Sequence, residues 1–287
     1  MKITCRGLIG CMALLLAVGL SSCTSEPDSY SPDDIDLPRP IPLRHSVWLE
    51  ELTWMEVRDL VATGTKTIII PSGAIEQTGP YLAIGKHNFI VRAMCESIAR
   101  KLGDTLCAPV VPFVPHGNIS PPTGMMRYPG TISISDETFK QLIVDIAESL
   151  AQHGFESVIL ISDNGGTQSH ARAIADFLRR KWKSRAVNAY FIPEYKDKSG
   201  LKQWVATNLK WVERNEGLHD DPRASTMLMT IDPNLVRIGE RSEMGLTSIN
   251  DVSLLPIDEA IVAGQKIINY RVENTVAAIR RAMSSSD

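Results

Sequence analysis

A chain of 287 residues, 44% apolar and 22% charged, has enough material to bury a sizeable core and is neither a disordered polymer nor a disulfide scaffold. A formal net charge of -3 with no polybasic run offers nothing to neutralise a phosphate backbone, so nucleic acid is excluded as the expected partner.

The first element reads as an address. Lys2 and Arg6 precede an apolar stretch from Leu8 to Leu20 that is too short for a comfortable bilayer span, and Leu20-Ser21-Ser22-Cys23 follows at once. This tetrad resembles the bacterial lipobox, in which small residues fit the signal peptidase and the Cys thiol takes a diacylglycerol. Residues 1–22 are therefore expected to leave as a lipoprotein signal peptide, with Cys23 as the acylated anchor; an ordinary secretory signal with a chance Cys is the alternative. Loss of Lys2 and Arg6 takes the formal charge from -3 to -5. Residues 23–46 are dense in Ser, Pro and Asp and suit an extended tether. Thr24 and Ser25 lack the Asp of an inner-membrane retention signal, which points to the cell envelope, at the outer membrane where the cell has one. Cys5 and Cys11 depart with the signal, leaving Cys95 and Cys107 in the exported domain as a disulfide or as two buried thiols.

From residue 47 onward, apolar runs alternate with amphipathic stretches, the pattern of an α/β domain with a mostly parallel sheet flanked by helices. Thr67 to Pro71 reads as a buried strand, Phe89 to Leu102 as a helix, and Cys107 to Phe113 as the next strand. In the Phe89 helix, Ile90, Ala93, Met94, Ser97 and Ile98 share a face. Phe139, Leu142, Ile143, Ile146 and Leu150 repeat at helical spacing until Gly154 ends the run, and Val158 to Ile161 is a strand too apolar to have a wet face. A helix from Ser169 to Trp182, a strand from Val187 to Ile192, a Trp-bearing helix from Leu201 to Asn215 and a closing helix from Asp258 to Met283 complete one domain over 47–287. In such sheets ligands lie beyond the carboxyl ends of the strands, which brings together the loop after Ile70, the loop after Ile161 and the polar turn Gly217 to Asp221.

Glu76, in Pro71-Ser72-Gly73-Ala74-Ile75-Glu76-Gln77-Thr78-Gly79-Pro80-Tyr81-Leu82, is a carboxylate placed where a strand ends. Here the chain resembles the creatininase (creatinine amidohydrolase) family, whose first motif runs E-Q-H-G-P-H-L-P. Further along, Tyr128-Pro129-Gly130-Thr131 resembles the family's F-P-G-T, Asp163-Asn164-Gly165-Gly166-Thr167 stands at its glycine-rich turn, His219-Asp220-Asp221 falls at its H-A-G, and Asp232 to Arg237 is similar to its P-x-x-V-R segment. The resemblance implies a creatininase-like α/β fold and a hydrolase acting on a cyclic amide or other small C–N substrate.

The family's two-metal ligand set is altered. Glu76 is retained, but Thr78 replaces a His, His87 replaces the Asp eleven residues after the Glu, Asn164 replaces a His and Ala224 replaces a late Glu. An imidazole bridges two metals poorly, so the usual dinuclear centre is not expected. Two arrangements are favoured over it. One is a single relocated Zn, Mn or Fe ion held by Glu76, His87, Asp163 and His219, with Asp220 or Asp221 as an added or supporting ligand. The other is a metal-free pocket, either an enzyme with Glu76, Asp163 and His219 in acid, base and proton-transfer roles, or an inactive member that binds a small ligand or a partner protein. His116-Gly117-Asn118 could line the same mouth, although a structural role is the simpler reading. Homo-oligomer formation is left open.

Overall fold

The computed structural model describes residues 35–285. The expected signal peptide, Cys23 and the first part of the tether lie outside them. Packing divides the chain after Pro40. Residues 35–40 are turn and irregular chain, and the elements below belong to the unit that begins at Ile41.

α1 (Trp54–Ala62) opens with a capping box, in which the Thr53 side chain accepts from the Glu56 backbone and the Glu56 side chain accepts from that of Thr53. There follow β1 (Thr67–Ser72), α2 (Lys86–Leu102), β2 (Thr105–Cys107), α3 (Asp136–Gln152), β3 (Ser157–Ser162), α4 (Gln168–Lys181) and β4 (Asn188–Phe191). The rest is mostly helical: α5 (Lys198–Asn208), α6 (Pro222–Met229), α7 (Ile238–Glu243), a small antiparallel pair of β5 (Ser248–Ile249) and β6 (Val252–Ser253), and α8 (Ile257–Ser284).

The main sheet has the order β2-β1-β3-β4 with every pairing parallel. The chain leaves β1 toward one edge to form β2 and returns to the other side of β1 to form β3. Strand order therefore reverses between β1 and β3, whose last residues Ser72 and Ser162 are paired. The crevice beyond that pair is where an open parallel sheet places its ligand.

Period-two alternation sends successive strand side chains into two cores. Ile69, Ile159 and Ile161 pack with Ile90, Met94 and Ile98 of α2, Leu228 of α6 and Ile267, Val276 and Ile279 of α8. Ile68, Ile70, Val158 and Leu160 pack on the other face with Phe139 and Ile143 of α3 and Ile174 and Leu178 of α4. Each such side chain contributes about 1.5–3 kcal/mol by burial. With both faces covered, the strands are apolar at nearly every position. Cys95 of α2 and Cys107 of β2 are joined as a disulfide inside the first core.

Three expected boundaries are corrected. α2 begins at Lys86 rather than Phe89, and its buried face is Ile90, Val91, Met94, Cys95, Ile98 and Ala99, with Ala93 and Ser97 half-buried. The strand expected over Cys107 to Phe113 is confined to Thr105–Cys107, because Pro109 and Pro112 have no N–H for a ladder. Val111 keeps a single bridge to Ser72. The Trp-bearing helix stops at Asn208, ahead of Lys210 with its left-handed φ of 59°.

Candidate functional site

Glu76 sits in the loop that leaves β1, and that loop is braced from both ends. Its N–H donates to Ile84 O, Gln77 N donates to Thr131 Oγ1, and Ile132 N donates to Ile75 O, so the Tyr128-Pro129-Gly130-Thr131 segment serves as a prop for the Glu76 turn. Gly73 passes so close to α2 that a β-carbon there would fall 1.9 Å from Asn88 Oδ1. Asp163 is the first residue past β3, its N–H donating to Ser72 O. The two carboxylates thus emerge side by side at the strand reversal.

His87 lies between them. Its Nε2 is 2.7 Å from Glu76 Oε1 and its Nδ1 is 2.7 Å from Asp163 Oδ2. All three residues are at least 95% buried. Expected to arrive on a loop, His87 instead occupies the first turn of α2. Glu76 receives two further contacts, from Asn164 Nδ2 at 3.1 Å to Oε1 and from His116 Nδ1 at 3.1 Å to Oε2. Asp163 Oδ1 gathers Arg271 of α8 at 3.0 Å, Lys196 at 3.2 Å and the Tyr195 hydroxyl at 3.3 Å.

Burial alone would raise both carboxyls. Hydrogen bonds from His116 and His87 outweigh it and hold Glu76 well below the usual range; the charges of Lys196 and Arg271, with His87, do the same for Asp163. Both groups are therefore ionised and can only accept. It follows that both ring nitrogens of His87 donate, the form of the ring that carries positive charge. Burial pulls the Lys196 ammonium down to about 8 against the pull of Asp163, and pushes the Tyr195 phenol well above its ordinary value.

These groups form one end of a cavity of about 640 Å³. His219, an exposed residue on the same wall, keeps its Nδ1 2.9 Å from the backbone oxygen of Gln77 and 3.3 Å from that residue's side-chain nitrogen. The shorter contact is to a group that can only accept, so Nδ1 carries a proton, while Nε2 has no partner among the described residues. The acidic pair beside His219 makes no contact with it among the described hydrogen bonds. Asp221 caps α6 by accepting from Arg223 N and Ala224 N, and its carboxylate also holds the Arg223 side chain. Asp220 lies under Gly79, where a β-carbon would come within 2.8 Å of its own, and both its carboxyl oxygens are buried without a hydrogen-bond partner among the described residues. Burial pushes the Asp220 carboxyl up.

The side chains proposed as metal ligands do not make a ligand set in this arrangement. Both nitrogens of His87 are engaged as donors, so the ring has no lone pair for an ion, and His219 binds the Gln77 backbone instead of joining Glu76. Among the described residues no group of three or more His, Cys, Asp or Glu side chains could hold a metal ion. The ring of His87 occupies the space between the carboxylates where a cation would sit.

Sequence reasoning left several site residues unassigned. Lys196, Tyr195 and Arg271 reach Asp163 from segments remote in the chain, and His116, given a structural reading, reaches Glu76. Arg271 did leave a trace, as a lone charge on the buried stripe of Ile267, Ile268, Val272 and Thr275. Trp204 stacks on Tyr270, a residue of the cavity lining, with ring centroids 4.7 Å apart.

Comparison with known proteins bears on the fold and the family. The solved structure of a mutant creatininase superposes with a TM-score of 0.63, covering 83% of this chain and 98% of that one at 20% identity, which shows a shared fold. Other solved creatininases include one described as an Mn form and one as a Zn-Zn type. In sequence, the chain is 32% identical over 119 residues to the creatinine amidohydrolase of Pseudomonas putida, covering 41% of this chain and 44% of that protein. It is 31% identical over 120 residues to the 3-dehydro-scyllo-inosose hydrolase of Thermotoga maritima, covering 42% and 36%. Both matches span less than half the length of the relative. The family model described as creatinine amidohydrolase matches residues 50–261, most of the chain, and the protein belongs to the creatininase family.

Proposed function

We propose that this protein is a hydrolase of small C–N substrates, cyclic amides foremost, whose cavity draws its positive charge from its own side chains. Family membership supports the reaction class. The observation that carries the reading is His219 on the cavity wall, with Nδ1 tied to Gln77 O and Nε2 without a partner among the described residues. His219 takes a proton from water as the oxygen adds to the amide carbon, and returns it to the nitrogen when the C–N bond breaks. Glu76 and Asp163, held ionised, are poor proton donors. Their part is to fix His87 and His116 and, with Lys196 and Arg271, to set the charge of the cavity floor.

The donor set does not support routing this reaction through a divalent ion, and no step above needs one. The test is hydrolysis of a panel of creatinine, 2-pyrrolidinone, hydantoin and 5-oxoproline by the wild-type protein and by His219→Ala. Loss of the base is expected to lower kcat by about 10²–10⁴-fold with little change in KM. Binding of such rings without turnover by the wild type would make this a binding protein instead.

We further propose that the protein works at the cell envelope, held by acyl chains on Cys23. The signal-like segment and lipobox tetrad of the sequence support this.

A further inference from the structure

One buried cation lining the cavity makes no direct contact with a carboxylate. Lys86 opens α2, is only 6% exposed and lines the cavity, and among the described residues its ammonium makes no hydrogen bond or ion pair. Burial pulls the Lys86 ammonium down against the charges of Glu76, Asp163, Asp221 and Asp220, and a buried ammonium without a direct partner is costly. Three of the four carboxylates around it are held by other groups. Glu76 is held by His87, His116 and Asn164, Asp163 by His87, Tyr195, Lys196 and Arg271, and Asp221 by Arg223. Lys196 and Arg271, which share the cavity lining with Lys86, are both engaged by Asp163. Asp220, on the same wall, offers two carboxyl oxygens that are also buried and unpartnered.

We infer that the cavity receives a small molecule through a carboxylate seated on the Lys86 ammonium, with an N–H of the same molecule turned to Asp220. Resting on the hydrolase reading, this narrows its substrates to amides that carry a carboxylate. A single ammonium suits a carboxylate better than a phosphate, which is ordinarily gathered by several donors at once.

A matched pair of rings tests it. 5-Oxoproline is 2-pyrrolidinone with a carboxylate added, and both are titrated by calorimetry into the full-length protein in detergent micelles, with inorganic phosphate as a third arm. The carboxylate ring is expected to bind at least about tenfold more tightly than the neutral one. Lys86→Met should erase that difference and Lys86→Arg should keep most of it. The Met variant should melt no lower than the wild type, since it removes an unpartnered charge. Equal affinity for the two rings, no binding of 5-oxoproline, a preference for phosphate, or discrimination that survives in Lys86→Met would each overturn the inference. Because binding is read rather than turnover, Lys86-dependent discrimination without hydrolysis would sink the hydrolase reading alone. Hydrolysis of the neutral ring with no dependence on Lys86 would sink this inference alone.

Discussion

His87 touches a carboxylate oxygen at 2.7 Å on each side, so its removal would leave Glu76 and Asp163 buried with part of their compensation gone. Breaking a buried ion pair by deleting one partner costs about 3–5 kcal/mol. His87→Gln, which can still donate to one side, is expected near the lower end when stability is measured by urea unfolding; a loss below about 1 kcal/mol would mean the ring is not the cation described. The pH dependence has a definite sign. Glu76 and Asp163 are held below their ordinary values of 4.5 and 3.8, so the folded state binds fewer protons than the unfolded chain in that range. Their stabilisation is complete above about pH 4.5 and is lost as pH falls toward the depressed values. Wild-type stability should therefore decline below that pH, and His87→Gln should show a shallower decline. The two carboxylates were legible in the sequence because each follows a buried strand. Lys86 was not, because a Lys-His-Asn run reads as polar loop until the close approach of Gly73 to Asn88 shows α2 starting there.

At the scale of elements, α8 supplies Arg271 to the site and must be held at a fixed depth for the guanidinium to meet Asp163. Gly264 sets that depth. A β-carbon at this position would fall 2.1 Å from the Thr226 backbone oxygen of α6, and a backbone atom cannot swing aside. Gly264→Ala should gain a little helix propensity and lose more to overpacking, a net cost of about 1–3 kcal/mol, with reduced turnover because Arg271 moves outward. Equal stability and activity of the variant would show that the helices separate freely. α8 was readable from its long apolar periodicity, and so were β1, β3, α3 and α4. α6 and α7 were not, for they are short and their burial comes from neighbours distant in sequence, as with Leu228 and Val236 in the core shared with α2 and α8. The β2 region misled for the opposite reason: its apolar run looks continuous, yet Pro109 and Pro112 withdraw it from the ladder.

For the whole molecule, the expected anchor and the cavity make separate demands. Replacing Cys23 with Ala should move the protein from the membrane fraction to the soluble fraction and leave ring hydrolysis intact, as no helix among the described residues is long and apolar enough to cross a membrane. Persistence in the membrane fraction would remove the acyl-anchor proposal. The central claim is that protein cations, His87 foremost, take up the space between Glu76 and Asp163 that a metal ion would need. Elemental analysis of the purified full-length protein, run beside hydrolysis assays with and without a chelator, tests it most directly. The account predicts far less than one transition-metal ion per chain and turnover that the chelator leaves unchanged. One or two Mn or Zn ions per chain, removed together with activity by the chelator and restored together on adding the metal back, would contradict it.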